Sequence, residues 1–289
     1  MEFRGIPVRT IGPGSQPGEP DGQSLAYIDM PKGMSTYTPP AVLDPERISA
    51  LDGAKEALRW LQSALDRHDA PGQAMLADLT ALDDASREIV NQVLGEGEVA
   101  INIDGSPRVR IQESVLAGVW RTFVYDAEDR IAADLLEVGE IPALVRDDQL
   151  RVRRIDIDAD GAGPEIANAL PILVEVDGYR STYTPGAPGE VINLSLLPVS
   201  DADIEFLDER LGRSGIDILS RAYGKCRITA TAVPNGWWVR YFNSMDILIL
   251  NTIEVIDIPR VACAAPEDLR DSALRLGEIL EPYRQEFGS

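Results

Sequence analysis

Cys226 and Cys263 are the side chains of this 289-residue chain best suited to covalent or metal chemistry, because a thiolate can ligate iron or exchange with a partner's thiol. Two thiolates do not complete a four-cysteine cluster site, so a cluster on them needs other ligands or a second chain. Two cysteines are also too few for a disulfide scaffold and fit a reducing compartment, though one bridge between them stays open. His68 is the only histidine, which removes most triads and the His-rich zinc sites; it stands at the exposed end of an amphipathic helix. Asp156, Asp158, Asp160 and Gly161 have the spacing that opens a calcium loop, but the twelfth position is Ala167 where a bidentate Glu is required, and Pro164 interrupts the loop. Gly224-Lys225 is the end of a phosphate loop without its beginning, since Leu219 occupies the first glycine position and Cys226 the Ser/Thr position. These residues assign no catalytic group, no cofactor and no metal. Cys226 and Cys263 are left as an alternative metal-binding or thiol-exchange pair.

The elements that must position these residues come in two copies. Sliding the chain by 117 positions lays Leu79, Asp84, Ala85, Glu88, Leu94 and Gly95 on Leu196, Asp201, Ala202, Glu205, Leu211 and Gly212. The same offset joins Arg110-Ile111 to Arg227-Ile228, Glu137-Val138 to Glu254-Val255 and Ile141-Pro142 to Ile258-Pro259. A one-residue slip between them sets Gly118 on Gly236 and Trp120 on Trp238. Neither cysteine is duplicated: Val109 corresponds to Cys226 and Arg146 to Cys263. The apolar counterpart, and Ile228 on the same strand face, make Cys226 a candidate for a buried, inert thiol. Cys263 falls at a strand-to-helix junction.

Within each copy the hydrophobic period changes from helical to alternating. Ala54, Leu58, Leu61, Leu65 and His68 share one helix face. Shorter helices follow near Asp84 and near Asp201, the second opening on a capping-box pattern at Ser200 and both ending at glycine. Further helices are expected from Pro164 and Pro266, with proline at the first position. Strands are expected from Val99, from 108, 119 and 130 in the first copy, and from Ile216, 225, 237 and 246 in the second. The fold expected is α+β, an internal tandem duplication in which each half adds helices to an antiparallel meander of about four strands, the halves related by a pseudo-twofold and the helices alternating with two sheets. Residues 1–33 form an extended Gly/Pro-rich segment, 34–146 the first repeat unit, 147–163 an acidic linker, and 164–289 the second unit with a C-terminal helix. Ser35-Thr36-Tyr37-Thr38-Pro39 recurs at 181–185 on the other side of the long helix, which the duplication does not explain.

Trp237-Trp238-Val239-Arg240-Tyr241-Phe242 sets aromatics on both faces of one strand. Either the other repeat and the helices cover both faces, or a partner protein covers one. Trp238, as the counterpart of Trp120, is the core candidate, and Trp237, set on Val119, the residue free to grip a partner. Arg227 and Arg240 lie on strands with apolar neighbours, with Glu254 and Glu137 as acceptors available to them.

Composition narrows the partners. With 48 acidic against 27 basic residues the net charge is −21, so the surface field repels nucleic acid and anionic membranes and accommodates a cationic protein. The chain, 44% hydrophobic, is long enough to bury a core. Its start lacks a basic segment followed by an apolar run, and no apolar stretch spans a bilayer, so a cytoplasmic protein without membrane insertion is expected.

Leu211-Gly212, the run from Ile218 to Ile228, Trp237 to Ser244, Leu248 to Val255 and Val261 to Ala265 closely resemble the C-terminal region of the HupH family of hydrogenase expression proteins, also called HyaF or HoxQ. The runs Ile111 to Arg121 and Pro31 to Tyr37 extend the resemblance to nearly the whole chain, fading in the first thirty residues and in the acidic linker. The resemblance implies a non-enzymatic accessory or chaperone role in maturation of the [NiFe] hydrogenase iron-sulfur small subunit. On that reading the protein holds the small-subunit precursor, together with a thioredoxin-like accessory protein, before assembly or export. It carries over no catalytic residues. Tyr223, Cys226, Arg227, Trp238, Arg240, Asn243, Glu254 and Cys263 fall on its motif positions. Trp237, Arg240, Tyr223, Asn243 and Cys263 are the partner-binding candidates.

Overall fold

The computed structural model describes residues 48, 50–68, 75–146, 163–222 and 224–283. The extended first segment, all but the last residue of the acidic linker with its calcium-like run, and Tyr223 lie outside them. In chain order the described elements are α1 (Asp52–Asp66), β1 (Met75–Asp78), α2 (Asp84–Leu94), β2 (Val99–Ile103), β3 (Arg108–Glu113), β4 (Val119–Tyr125), β5 (Ile131–Val138), α3 (Ala169–Thr182), β6 (Glu190–Asn193), α4 (Asp201–Leu211), β7 (Ile216–Ser220), β8 (Lys225–Ala230), β9 (Gly236–Phe242), β10 (Leu248–Val255) and α5 (Pro266–Leu280). Short 3-10 turns at Ala143–Arg146 and Arg260–Ala262 follow β5 and β10.

The helices begin and end where local chemistry dictates. Asp83 caps α2 by accepting from Ser86 N at 2.9 Å, and Ser200 caps α4 in a capping box closed by Asp203. Gly95 and Gly212 end these helices at φ +54° and +62°, a left-handed geometry that glycine adopts without a steric penalty. Helix α5 starts at Pro266 as its sequence indicates, whereas α3 starts at Ala169 instead of Pro164. A side chain from another helix sets that start: Asp203 Oδ1 accepts from the backbone N–H of Ala167, Asn168 and Ala169 at 2.9–3.0 Å.

All ten strands join one antiparallel sheet in the order β1-β5-β4-β3-β2-β7-β8-β9-β10-β6, where two sheets were expected. The two meanders meet along β2 and β7, with Ile101 opposite Ile218 and Val99 opposite Ser220. This seam satisfies two edges that separate sheets would leave unpaired. Each half also gains a fifth strand, β1 on β5 and β6 on β10. These four-residue strands are too short to carry a periodic signal and exist because longer neighbours pair with them.

Strand order and register repeat at the 117 offset without the expected slip. Ser114 N donates to Val119 O and Thr231 N to Gly236 O, and Trp120 opposes Glu137 as Trp237 opposes Glu254. Trp120 therefore corresponds to Trp237, and Trp238 to Arg121. Gly118 corresponds to Asn235, both with positive φ (+78° and +60°). The slip was suggested by Gly-x-Trp, but backbone conformation selects the pairing, and asparagine tolerates the left-handed position that glycine holds in the first copy.

Side-chain alternation divides the core by sheet face. On one face α1, α2 and α5 pack over Val119, Leu136 and Val138, while α3 and α4 pack over Trp238, Ile253 and Val255. On the other face Ile101, Ile111, Trp120, Ile218, Ile228 and Trp237 share a single cluster drawn from both halves, with Val145 and Ala262 of the 3-10 turns packed into it. Helix α5, expected to complete the second unit, instead docks on the first-half core: Leu269 and Leu276 join it, and Ser272 Oγ donates to Ala117 O at 2.9 Å.

Candidate partner-binding surface

The residues expected to meet a partner separate sharply once the strands are in register. Trp237 is fully buried, and its indole N–H donates to the carbonyls of Ile256 and Asp257 at 3.0 and 3.2 Å. Trp120 does the same to Gly139 O at 2.8 Å. The assignment of Trp237 as a gripping residue is thereby corrected: its face of the strand belongs to the shared cluster, which buries it completely. Trp238 is a core residue as expected, 4% exposed, with its N–H on Asn251 Oδ1 at 2.5 Å. In the first half that position carries the buried Arg121–Asp134 ion pair, so one location is filled by two polar solutions.

Asn243 is committed to the turn after β9, where its side-chain oxygen accepts from Met245 N and Ile247 N at 2.9 and 3.0 Å. Asp126 performs the same task after β4, accepting from Glu128 N and Arg130 N, which marks Asn243 as a turn-former.

The cysteines are free thiols. Cys226 is 2% exposed inside the shared cluster, and burial pushes its thiol up to about 12 despite a hydrogen bond with Tyr241. Burial likewise raises the half-buried Cys263 to about 11, and its Sγ–H points to Pro259 O at 3.8 Å. Neither holds an appreciable thiolate near neutral pH, the form that metal binding and exchange require. Among the described residues no three His, Cys, Asp or Glu side chains gather as a metal would need.

Glutamates lie beside the two shared-face tryptophans. Glu113 and Glu137 flank Trp120 across neighbouring strands, and Glu254 opposes Trp237. Burial is the main cause that raises all three carboxyls, Glu113 to about 7, opposed there by the N–H of Gly118. Glu137 accepts from Ala143 N at 2.7 Å and so holds the 3-10 turn. Glu137 and Glu254 do not serve Arg227 and Arg240, because alternation sends the arginines to the helix-bearing face and the glutamates to the opposite one.

Arg240 remains as a candidate. It is half-buried, its guanidinium carbon lies 5.7 Å from the Trp238 ring centre, and its Nε is buried without an acceptor. Directly opposite on β8 is Arg227, 5.7 Å from the Phe242 ring. The sequence names both arginines but not their pairing, which depends on the β8–β9 register.

Among the described residues, burial raises both thiols, and Arg227 and Arg240 stand on the helix-bearing face without an ion pair. The family model "HupH hydrogenase expression protein, C-terminal conserved region" matches residues 51–152 and 166–283, and the chain belongs to the HupH/HyaF/HoxQ family. It is 48% identical over 277 residues to Hydrogenase expression/formation protein HoxQ of Cupriavidus necator, covering 96% of each chain. It is 40% identical to Hydrogenase expression/formation protein HupH of Rhodobacter capsulatus (96% and 98% covered) and 31% identical to Hydrogenase-1 operon protein HyaF of Escherichia coli (94% of each). A solved chain, Hydrogenase expression protein HupH from Thiobacillus denitrificans, is 27% identical with a TM-score of 0.36, covering 40% of this chain and 94% of that one. Among the described residues no helix is long and apolar enough to cross a membrane.

Proposed function

We propose that this protein is a non-enzymatic maturation factor for a [NiFe] hydrogenase, binding the iron-sulfur small-subunit precursor before assembly or export in the company of a thioredoxin-like accessory protein. The observation that carries the reading is near-full-length similarity to proteins named for hydrogenase expression and formation. The two halves act as a pseudo-twofold pair, a reading supported by the pairing of Ile101 with Ile218, its own counterpart, at the central seam. The raised thiols of Cys226 and Cys263 weigh against the alternative of an iron-sulfur or thiol-exchange protein. The test is affinity purification of the tagged chain from cells expressing a hydrogenase operon. Small-subunit precursor is expected to co-purify under gentle conditions, and its absence from the eluate overturns the reading.

A further inference from the structure

Among the described residues the helix-bearing face is covered only at its two ends, where the helices pack over the outer strands. Between them the middle strands present polar side chains: Asn102 and Asp217 are half-exposed, Arg110 is exposed, and Arg227 and Arg240 lie half-buried. Guanidinium groups are the prominent charges of this strip, in a chain whose net charge is −21.

Arg227 and Arg240 face each other across β8 and β9, an arrangement of like charges that costs stability unless an anion lies between them. Among the described residues neither makes an ion pair or hydrogen bond; the carboxylates of Asp208 and Asp217 attract Arg240 through space but take their hydrogen bonds from other residues. Asp208 is held by Arg213 at 2.9 Å, and Asp217 accepts from Thr229 Oγ1 at 2.8 Å. The guanidinium carbons lie 5.7 Å from the Phe242 and Trp238 ring centres, within cation–π reach, and guanidinium N–H groups without a protein acceptor suit a planar, two-oxygen one. The pair exists in the second half alone, since the corresponding residues are Arg110 and Phe123.

Arg240 lies two residues, about 7 Å of strand, before Phe242 and the β9–β10 turn. That turn exposes Met245 (73%), Ile247 (53%) and Ile249 (60%). The first-half turn has Glu128, Arg130 and Ala132 at these positions, and Arg130 closes on Glu128 and Asp126. A free anion gains nothing from an apolar tip, and a polynucleotide is repelled by the overall charge. A peptide with an acidic residue beside apolar ones matches both features.

We propose that Arg227 and Arg240 clamp a carboxylate on a peptide segment of a partner chain, with the tip at residues 245–249 receiving the apolar side chains next to it. This deepens the maturation-factor reading and rests on it for the partner's identity. The full chain is titrated calorimetrically with an acetylated peptide alternating leucine and glutamate, with its glutamine counterpart, and with inorganic phosphate. The glutamate peptide should bind about tenfold or more tighter than the other two. Arg227→Gln/Arg240→Gln should abolish that difference and cut small-subunit recovery by a similar factor, with the melting temperature unchanged or raised. Should the glutamine pair fail to fold, Arg227→Lys/Arg240→Lys keeps both charges while losing the two-pronged geometry, and should weaken the peptide severalfold. Equal binding of both peptides, phosphate binding as tight as the glutamate peptide, or undiminished recovery by folded variants overturns the clamp. Failure of the wild-type chain to recover the precursor overturns the maturation reading instead, because the peptide titration reports on the clamp independently.

Discussion

Trp120 and Trp237 hold equivalent places, each fully buried and each donating its indole N–H to a backbone carbonyl just beyond the following strand. Truncating either to alanine removes a large core side chain and leaves a carbonyl without its donor, so both variants should lose about 3–5 kcal/mol in denaturant titration. A Trp237→Ala variant as stable as wild type contradicts this placement. Glu113 behaves in the opposite sense. Burial raises its folded-state carboxyl to about 7, above the unfolded value, so the fold prefers it protonated. The resulting penalty is absent below about pH 4.5, grows as pH rises, and is complete above about pH 7. Glu113→Gln should therefore stabilise the protein by up to about 3 kcal/mol at pH 8 and leave it nearly unchanged at pH 4.5, as read by melting temperature across that range. A gain of equal size at both pH values rules out the titration.

At the scale of elements, one side chain joins two helices. Asp203 lies in the first turn of α4, where it completes the capping box with Ser200 and also receives three N–H groups from the start of α3. Burial by itself raises a carboxyl, but these donors outweigh it and hold Asp203 near 2, against 3.8 for an unperturbed group. The stabilisation is fully present above about pH 4 and is lost as pH falls toward 2. Asp203→Asn should cost about 2–3 kcal/mol at pH 7, with the deficit shrinking in the acid range; a deficit that persists at pH 2 points to packing in place of charge. The first half reverses the arrangement, with Asp83 as the cap and Ser86 at the position of Asp203. Ser86 Oγ lies beside Gly53 in the first turn of α1 but, among the described residues, makes no hydrogen bond to it, and α1 begins without a side-chain cap.

At the scale of the whole molecule, the halves share one sheet and one face of the core, and α5 returns from the end of the second half to cover the first. Opening the β2–β7 seam exposes the cluster around Ile101 and Ile218, so neither half has a complete core by itself. Unfolding is then expected to be one cooperative event. In each of two variants, one retaining only Trp120 and one only Trp237 with Trp238, with phenylalanine at the other tryptophans including Trp60, tryptophan fluorescence and far-UV circular dichroism should give coincident midpoints in urea. Two separated midpoints mean that the seam does not couple the halves.

The sequence by itself determined the features that rest on local chemistry and internal repetition. The 117-residue offset, the α+β class, the helices that end on Gly95 and Gly212, the start of α5 at Pro266, the burial of Cys226 and the family were all legible in it, because caps, turns and periodicity are written within a few residues of where they act. Tertiary structure alone decided the rest. Joining two meanders into one sheet depends on β2 meeting β7 across more than a hundred residues, and the true partner of Trp120 emerged only from hydrogen-bond register. Which tryptophan faces the shared cluster, which helix covers which half, and whether Arg227 meets Arg240 are all consequences of that register. Strand pairing is non-local, and displacing it by one residue sends every side chain to the opposite face.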